Sequence, residues 1–390
     1  MEYYKINPNN PDPVSISRTV QVINEGGVVV YPTDTLYGLG VDMTNQKAVN
    51  KLLHLKQRHI KYPISFMVDS IQSMEKIVGI ISPKKQALMK NLLPGKFTIL
   101  LNNKMAEQGV DKKNQFNHIY HNKIGFRIPK LALCHELSIQ LGKPISSTSA
   151  NISGRDNVLS IQEVISHFGN KLDLILDAGP MKSSKGSTVI DLTKLPFLVF
   201  REGEIDMNQL SGLVPGVNFE KRKTKFVVLF VCTGNICRSP LGEGILKAKV
   251  EKTKYKDIFE VRSAGTLDLG PVHAHDFSIK IADDNEIDLS RHKARMLNKK
   301  MVEEASVIFC MAMDHLHYLR KNYPQDKHKL HLLKEWKREK PLAVPSIQDP
   351  IGHELKFFEN TYNDIFKEIK RIFPFLLNEL KKFMEYNEIP

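Results

Sequence analysis

One stretch in the second half, Phe226-Val-Val-Leu-Phe-Val-Cys-Thr-Gly-Asn-Ile-Cys-Arg-Ser-Pro240, constrains the fold more than any other. The apolar residues from Phe226 to Val231 run without alternation, which reads as a central parallel strand buried on both faces. The loop after it then lies at the carboxyl edge of a sheet, where α/β folds bind ligands. Leu241 to Val250 reads as a helix, so the loop also meets a helix N-terminus, where backbone N–H groups and the dipole favour an anion. Cys232 opens the loop. A thiolate is favoured there by the helix terminus and a nearby guanidinium, which makes Cys232 a nucleophile. Arg238 closes the loop, and its planar fork suits two phosphate oxygens better than a lysine would. The Ser239 hydroxyl is placed to hydrogen-bond the sulfur, and Gly234 or Asn235 would supply left-handed backbone for the tight turn. A lone cysteine at a strand end is usually only a small buried hydrophobe, but the Cys, five residues, Arg-Ser-Pro spacing outweighs that reading.

These residues resemble the low-molecular-weight protein tyrosine phosphatase family, over about residues 225–387. The resemblance implies a doubly wound parallel sheet, with Ser263-Ala-Gly265 after its second strand and Val307 to Asp314 as a third. It assigns Cys232 the attack on phosphorus and Arg238 the phosphate grip, with Ser239 and Asn235 supporting the loop. Asp349, from Asp349-Pro350 before a final helix, becomes the acid that protonates the leaving group and then activates water. Cys237 matches a neighbouring cysteine that forms a reversible protective disulfide in many members. Two departures leave the substrate open among phosphorylated proteins. Ile351 and Gly352 replace the aromatic residues common in tyrosine phosphatases of the family. Related protein-arginine phosphatases match that loop better, yet have Thr where this chain has Ile236. Arsenate reduction on the same scaffold is a further alternative, but it needs a relay of cysteines, and Cys310 falls in an apolar strand.

The chain has 390 residues, which is long for one core, so two domains are expected. Its apolar content of 42% and charged content of 25% are those of a globular protein. No apolar run reaches the roughly 18 residues of a membrane span, and the N-terminus lacks the apolar stretch of a signal peptide. A cytoplasmic protein without a membrane partner is expected. The four cysteines, at 134, 232, 237 and 310, have no zinc-ligand spacing, and no metal site is expected in the side chains. A net charge of +13 is spread over both halves, compatible with polyanionic partners such as nucleotides or RNA.

The first half reads as coil to about Val14, a helix from Ile16 to Glu25, a strand from Val28 to Tyr31 and a helix from Gln46 to Leu55. Short apolar strands then alternate with polar or helical segments, which predicts α/β architecture with a mixed, twisted sheet. Its motifs are Tyr31-Pro-Thr-Asp-Thr-Leu-Tyr-Gly-Leu-Gly40, Lys56-x-Arg58, Leu93-Pro-Gly-Lys-Phe-Thr98, Gly125-Phe-Arg-Ile-Pro129, Ser149-Ala-Asn-Ile-Ser-Gly154, Ser187-Thr-Val189 and Arg201-Glu-Gly203. Over about residues 10–210 they resemble, in order, the YrdC family of threonylcarbamoyl-AMP synthases. That resemblance implies condensation of L-threonine, bicarbonate and ATP, the first step towards threonylcarbamoyl-adenosine in tRNA, with Mg2+ carried by ATP. It gives threonine to Thr35, Arg58, Arg127 and Ser187, and the nucleotide to Lys56, Ser149, Asn151 and Arg201. The partners implied include tRNA or the complex that transfers the group to tRNA. The alternative is an RNA-binding module without synthesis. Residues 211–224, with Gly212-Leu-Val-Pro-Gly216 and the basic run Lys221–Lys225, read as a linker. The last helix is expected from Glu354 to Met384, interrupted at Pro374.

Overall fold

The computed structural model describes residues 1–59, 62–103, 122–183 and 185–388. The chain divides into two compact units, Met1–Arg222 and Lys223–Pro390. No helix among the described residues is long and apolar enough to cross a membrane.

The first unit is built on β1 (Glu2–Lys5), β2 (Val29–Pro32), β3 (Tyr37–Gly40), β4 (Ser65–Met67), β5 (Phe97–Asn102), β6 (Lys123–Arg127), β7 (Ile145–Ser149), β8 (Leu174–Asp177), β9 (Thr188–Asp191), β10 (Phe197–Arg201) and β11 (Phe219–Lys221). Among the described residues they form one sheet in the order β1-β8-β2-β3-β7-β4-β6-β5-β9-β10-β11. Pairing is mixed: β2 runs parallel to β8 and antiparallel to β3, and β4 runs parallel to β6 and antiparallel to β7. The expected mixed sheet is therefore present. Register brings the motifs together. Met67 pairs with both Arg127 and Ile145, Ser65 with Ser147, and Gly38 with Ser149. Because strand side chains alternate, Ser147 and Ser149 share a face of β7. At Gly125 a Cβ would stand 2.6 Å from Ser65 Oγ and 3.2 Å from Thr98, so only glycine lets those hydroxyl-bearing residues close on β6.

The second unit holds β12 (Phe226–Cys232), β13 (Phe259–Gly265), β14 (Val307–Cys310) and β15 (Leu330–Leu332), in the order β13-β12-β14-β15 with every pair parallel. Strand β12 shows why its sequence does not alternate. Phe226, Val228 and Phe230 enter one apolar cluster, whereas Leu229 and Val231 enter another on the opposite face. Each such side chain contributes about 1.5–3 kcal/mol by leaving water. Trp336 meets Phe309 edge-on at 5.2 Å, a packing role.

Several expectations need correction. The N-terminal segment read as coil contains β1, which pairs with β8 from Glu2↔Leu174 to Lys5↔Asp177. The helix expected from Ile16 runs over Pro13–Asn24, because the Asp12 carboxylate caps Ser15 N–H at 2.8 Å and Pro13 needs no donor at the first position. Residues 211–224 carry the end of the helix Met207–Leu213 and all of β11, whose Phe219 packs against Phe197 at 6.0 Å. The third strand of the second unit stops at Cys310, and Met313–Asn322 is a helix. Pro374 does not interrupt the last helix, Leu355–Asn387. One lost backbone bond is offset there by Ile369, Ile372, Leu376 and Leu380, all fully buried along one side.

Candidate active sites

In the first unit the turn after β2 is organised by Thr33. Its Oγ1 accepts N–H bonds from Thr35 at 3.2 Å and Leu36 at 3.1 Å, and donates to Leu36 O at 2.7 Å. The turn presents Asp34 and Thr35 to the end of β6. There Arg127 Nη2 donates to Asp34 Oδ1 at 2.8 Å and to Thr35 Oγ1 at 3.1 Å. The Asp34–Arg127 pair is deeply buried, with side-chain exposures of 7% and 9%. Arg127 Nε is nonetheless buried without a hydrogen-bond partner, and so is Ser147 Oγ. Buried donors are normally satisfied, so an unpaired guanidinium nitrogen marks a position for a ligand.

Nearby, Ser187 Oγ lies 2.7 Å from Thr98 Oγ1, and Arg201 donates to Ser187 O through Nη2 at 3.0 Å and Nε at 3.3 Å. Burial, and then the positive charge of Arg127, makes Arg201 less basic than an ordinary arginine, so the two guanidinium groups share one electropositive region. A Cβ at Gly203 would fall 2.0 Å from Gly186 O, which explains the glycine of Arg201-Glu-Gly203.

Lys56, Ser149 and Asn151 form a second group. Lys56 Nζ donates to Ser149 O and, at 2.8 Å, to Asn151 O, while Ser149 Oγ donates to Asn151 Oδ1. The strand β3 links the two groups, since Ala150 N–H donates to Tyr37 O at 2.8 Å. Arg58 donates to Tyr62 O at 3.3 Å and Pro63 O at 2.8 Å, and borders a cavity of about 480 Å³ with Ile152, His167 and Lys171. Thr35, Arg127, Ser187 and Arg201 are thus brought together, whereas Arg58 bonds elsewhere. Asp34, Thr98 and Ser147 went unassigned in the sequence. Asp34 and Thr98 lie within quoted motifs, but nothing in spacing shows that they pair with Arg127 and Ser187.

Burial, and then the charge of Arg58, pushes Lys56 down to about 7 from an ordinary 10.5. Between those values the unfolded chain binds more protons than the folded one, so stability rises with pH there. The cost of burying Lys56 is full below pH 7 and is relieved as pH climbs towards 10.5. The melting-temperature difference between wild type and Lys56→Met should therefore move in favour of wild type from pH 7 to 9.5. A difference independent of pH would show that Lys56 does not titrate in this range.

In the second unit Cys232 ends β12 with its Sγ 2.9 Å from Ser239 Oγ. Asn235 Nδ2 donates to Ser239 Oγ at 2.9 Å and to Ser263 Oγ at 2.8 Å, and the Ser263 hydroxyl donates to Glu243 Oε2. Asn235 fills one lone pair of Ser239 Oγ, and the Ser239 proton faces both the sulfur and Ala264 O, 3.4 Å away. Asn235 supplies the left-handed turn, at φ 55°. Its carbonyl accepts from His292 Nε2 at 2.8 Å and its Oδ1 from Arg295 N–H at 3.0 Å. A Cβ at Gly265 would meet Thr233 O at 2.6 Å, so the glycine of Ser263-Ala-Gly265 admits the loop.

The helix starts at Arg238, earlier than expected, and spans Arg238–Glu251. Arg238 and Ser239 therefore occupy the first turn, where N–H groups lack helical partners and Pro240 costs nothing. Arg238 Nη1 donates to Ile347 O at 3.2 Å, and Nη2 donates to Thr233 Oγ1 at 3.2 Å and to Asp349 Oδ2. The guanidinium is buried, while the Asp349 side chain is 45% exposed. Around the mouth, Leu269 leans on Gly234, and Leu269 and Ile351 are exposed aliphatic walls. Cys237 is a buried free thiol, pushed up to about 12 chiefly by burial. Cys310 is fully buried in β14.

Comparison with known proteins follows the same division. Residues 21–203 match the Sua5/YciO/YrdC family, described as telomere recombination. A relative from Methanocaldococcus jannaschii is 32% identical over 211 residues, which is 54% of this chain and 96% of that protein. The chain belongs to the Sua5/YciO/YrdC family. A Pyrococcus abyssi threonylcarbamoyl-AMP synthase is 28% identical over 201 residues, 49% of this chain and 55% of that protein. The crystal structure of P. abyssi Sua5 complexed with L-threonine shares the fold, at TM-score 0.51 and 22% identity over 68% of this chain and 84% of that chain. Residues 227–385 match the low-molecular-weight phosphotyrosine protein phosphatase family, so a phosphatase domain follows the Sua5/YciO/YrdC domain. Both are enzyme domains.

Proposed function

We propose that the first domain condenses L-threonine, bicarbonate and ATP into threonylcarbamoyl-adenylate and pyrophosphate in the cytoplasm, supplying the group later transferred to tRNA. The observation that carries this reading is the buried Arg127, whose Nε has no partner although Nη2 is held by Asp34 and Thr35. A carboxylate satisfies such a nitrogen, and in this reading it comes from threonine, which the similarity to a threonylcarbamoyl-AMP synthase and to a structure complexed with L-threonine supports. Ser187 and Thr98 would line the same pocket, with Arg201 beside the phosphates. Lys56 would act by fixing the Ser149-Ala-Asn151 loop that faces the nucleotide. The donors to Mg2+ would be the phosphate oxygens of ATP.

In the second domain Cys232 Sγ would attack phosphorus as the bond to the leaving oxygen breaks, with Asp349 giving its proton to that oxygen. Asp349 would then take a proton from water as the water displaces the cysteine, releasing phosphate. Ser239, 2.9 Å from the sulfur, supports the thiolate, and Arg238 holds the phosphoryl oxygens. Cys237, a buried free thiol on the same loop, would be the partner for a protective disulfide.

The test uses the purified full chain. Pyrophosphate release is expected only with threonine, bicarbonate and ATP together, and release without threonine would overturn the first assignment. Phosphotyrosine and phosphoarginine peptides, assayed side by side, identify the phosphatase substrate. Hydrolysis of neither would overturn the second assignment.

A further inference from the structure

We propose that Thr233 is a further substrate-binding residue of the phosphatase site, its hydroxyl proton aimed at the bound phosphoryl group, and that buried His315 is the residue that positions it. The proposal rests on reading the second domain as a phosphatase.

The argument begins at the far nitrogen of His315. Its Nδ1 accepts the N–H of Ala312 at 3.1 Å, so Nδ1 carries a lone pair and the proton of the neutral ring sits on Nε2. Burial holds the ring neutral, pushing it down to about 4 against the opposing influence of Asp314 and Asp349 and with the help of Arg238. Nε2 lies 2.9 Å from Thr233 Oγ1 and must donate to it. Arg238 Nη2 donates to the same oxygen at 3.2 Å. A hydroxyl oxygen has two lone pairs, and both are now filled by N–H donors. The Thr233 proton therefore needs an acceptor outside this trio. Thr233 directly follows Cys232 and is bonded to the phosphate-gripping Arg238, so a phosphoryl oxygen held by Arg238 is within the same neighbourhood. Neither His315, 82 positions from Thr233 in sequence, nor the hydroxyl is used by the steps described above.

Four variants test this in the full chain: Thr233→Val, Thr233→Ser, His315→Gln and His315→Asn. Gln retains a donor at the Nε2 position, and Asn retains only the Nδ1 position. Binding of inorganic phosphate is measured by calorimetry, and kcat and KM with an aryl phosphate. Thr233→Val is expected to weaken phosphate binding and kcat/KM about tenfold, with Thr233→Ser restoring both. His315→Gln should stay within threefold of wild type, while His315→Asn should follow Thr233→Val. Melting temperatures close to wild type for Thr233→Val and Thr233→Ser keep the comparison free of misfolding. Unchanged phosphate binding in Thr233→Val would overturn the proposal while leaving the phosphatase reading intact. A wild type that binds phosphate without hydrolysing the ester would overturn that reading, and the Thr233 comparison would still decide the proposal. A wild type that does neither overturns both.

Discussion

Replacing Cys232 by serine is expected to remove phosphatase turnover by at least about 10⁴-fold while leaving the loop folded. A serine hydroxyl is a far weaker nucleophile than a thiolate and a far worse leaving group in the second step. The supports of the loop do not depend on the sulfur. Asn235 still bridges Ser239 and Ser263, and Arg238 still reaches Ile347 and Asp349. Phosphate binding measured by calorimetry should therefore survive in the variant, and threonine-dependent pyrophosphate release by the other domain should be unchanged. Turnover above about one-hundredth of wild type, in a preparation free of contaminating phosphatase, would remove Cys232 from the nucleophile's role.

The second large effect is expected at Arg127. If Arg127 holds the threonine carboxylate as proposed, losing that contact should lower kcat/KM for threonine by about 10²–10³, the usual scale for one oriented donor in a dry site. Alanine alone is a poor test, because Asp34 would be left as a buried, unpaired carboxylate at a cost of about 3–5 kcal/mol. The double variant Arg127→Gln with Asp34→Asn removes both charges and keeps polar groups of similar size. Pyrophosphate release should show a raised KM for threonine and a lowered kcat, with ATP binding largely retained. If kcat/KM for threonine stays within threefold of wild type, Arg127 does not hold that substrate.

How much was legible in the sequence depends on whether local signals or tertiary partners decide. Strand β12 could be read because burial on both faces forces an unbroken apolar run, and the loop after it because its chemistry is packed into a few positions. Strand β3, Tyr37-Gly-Leu-Gly40, could not, since two glycines weaken a strand pattern and are there to pack against Tyr31 and Val29. Strand β11 is three residues of largely polar sequence whose pairing with β10 makes it a strand. Pro374 signals a break that packing overrides. Within the sites, Arg127, Ser187 and Arg201 were recognisable as cations and hydroxyls in motifs. The dependence of Arg127 on Asp34, and of Thr233 on His315, crosses from one element to another, where spacing carries no information. Arg58 shows the reverse: its motif was visible, but its bonds go to the carbonyls of Tyr62 and Pro63.

The ion pair between Arg238 and Asp349 has a consequence for which anions the phosphatase admits. On the proposed mechanism Asp349 would guard the seat of the phosphate: an incoming group would have to evict a tethered carboxylate, which carries one charge and pays no entropy of association. Chloride and simple carboxylates have little to offer in that exchange, whereas a phosphomonoester brings two charges and several acceptor oxygens. Eviction would also free that carboxylate beside the leaving group, where, once it takes up a proton from solvent as the ion pair breaks, it could serve as the proposed acid, so selecting the substrate and arming the catalyst would be coupled.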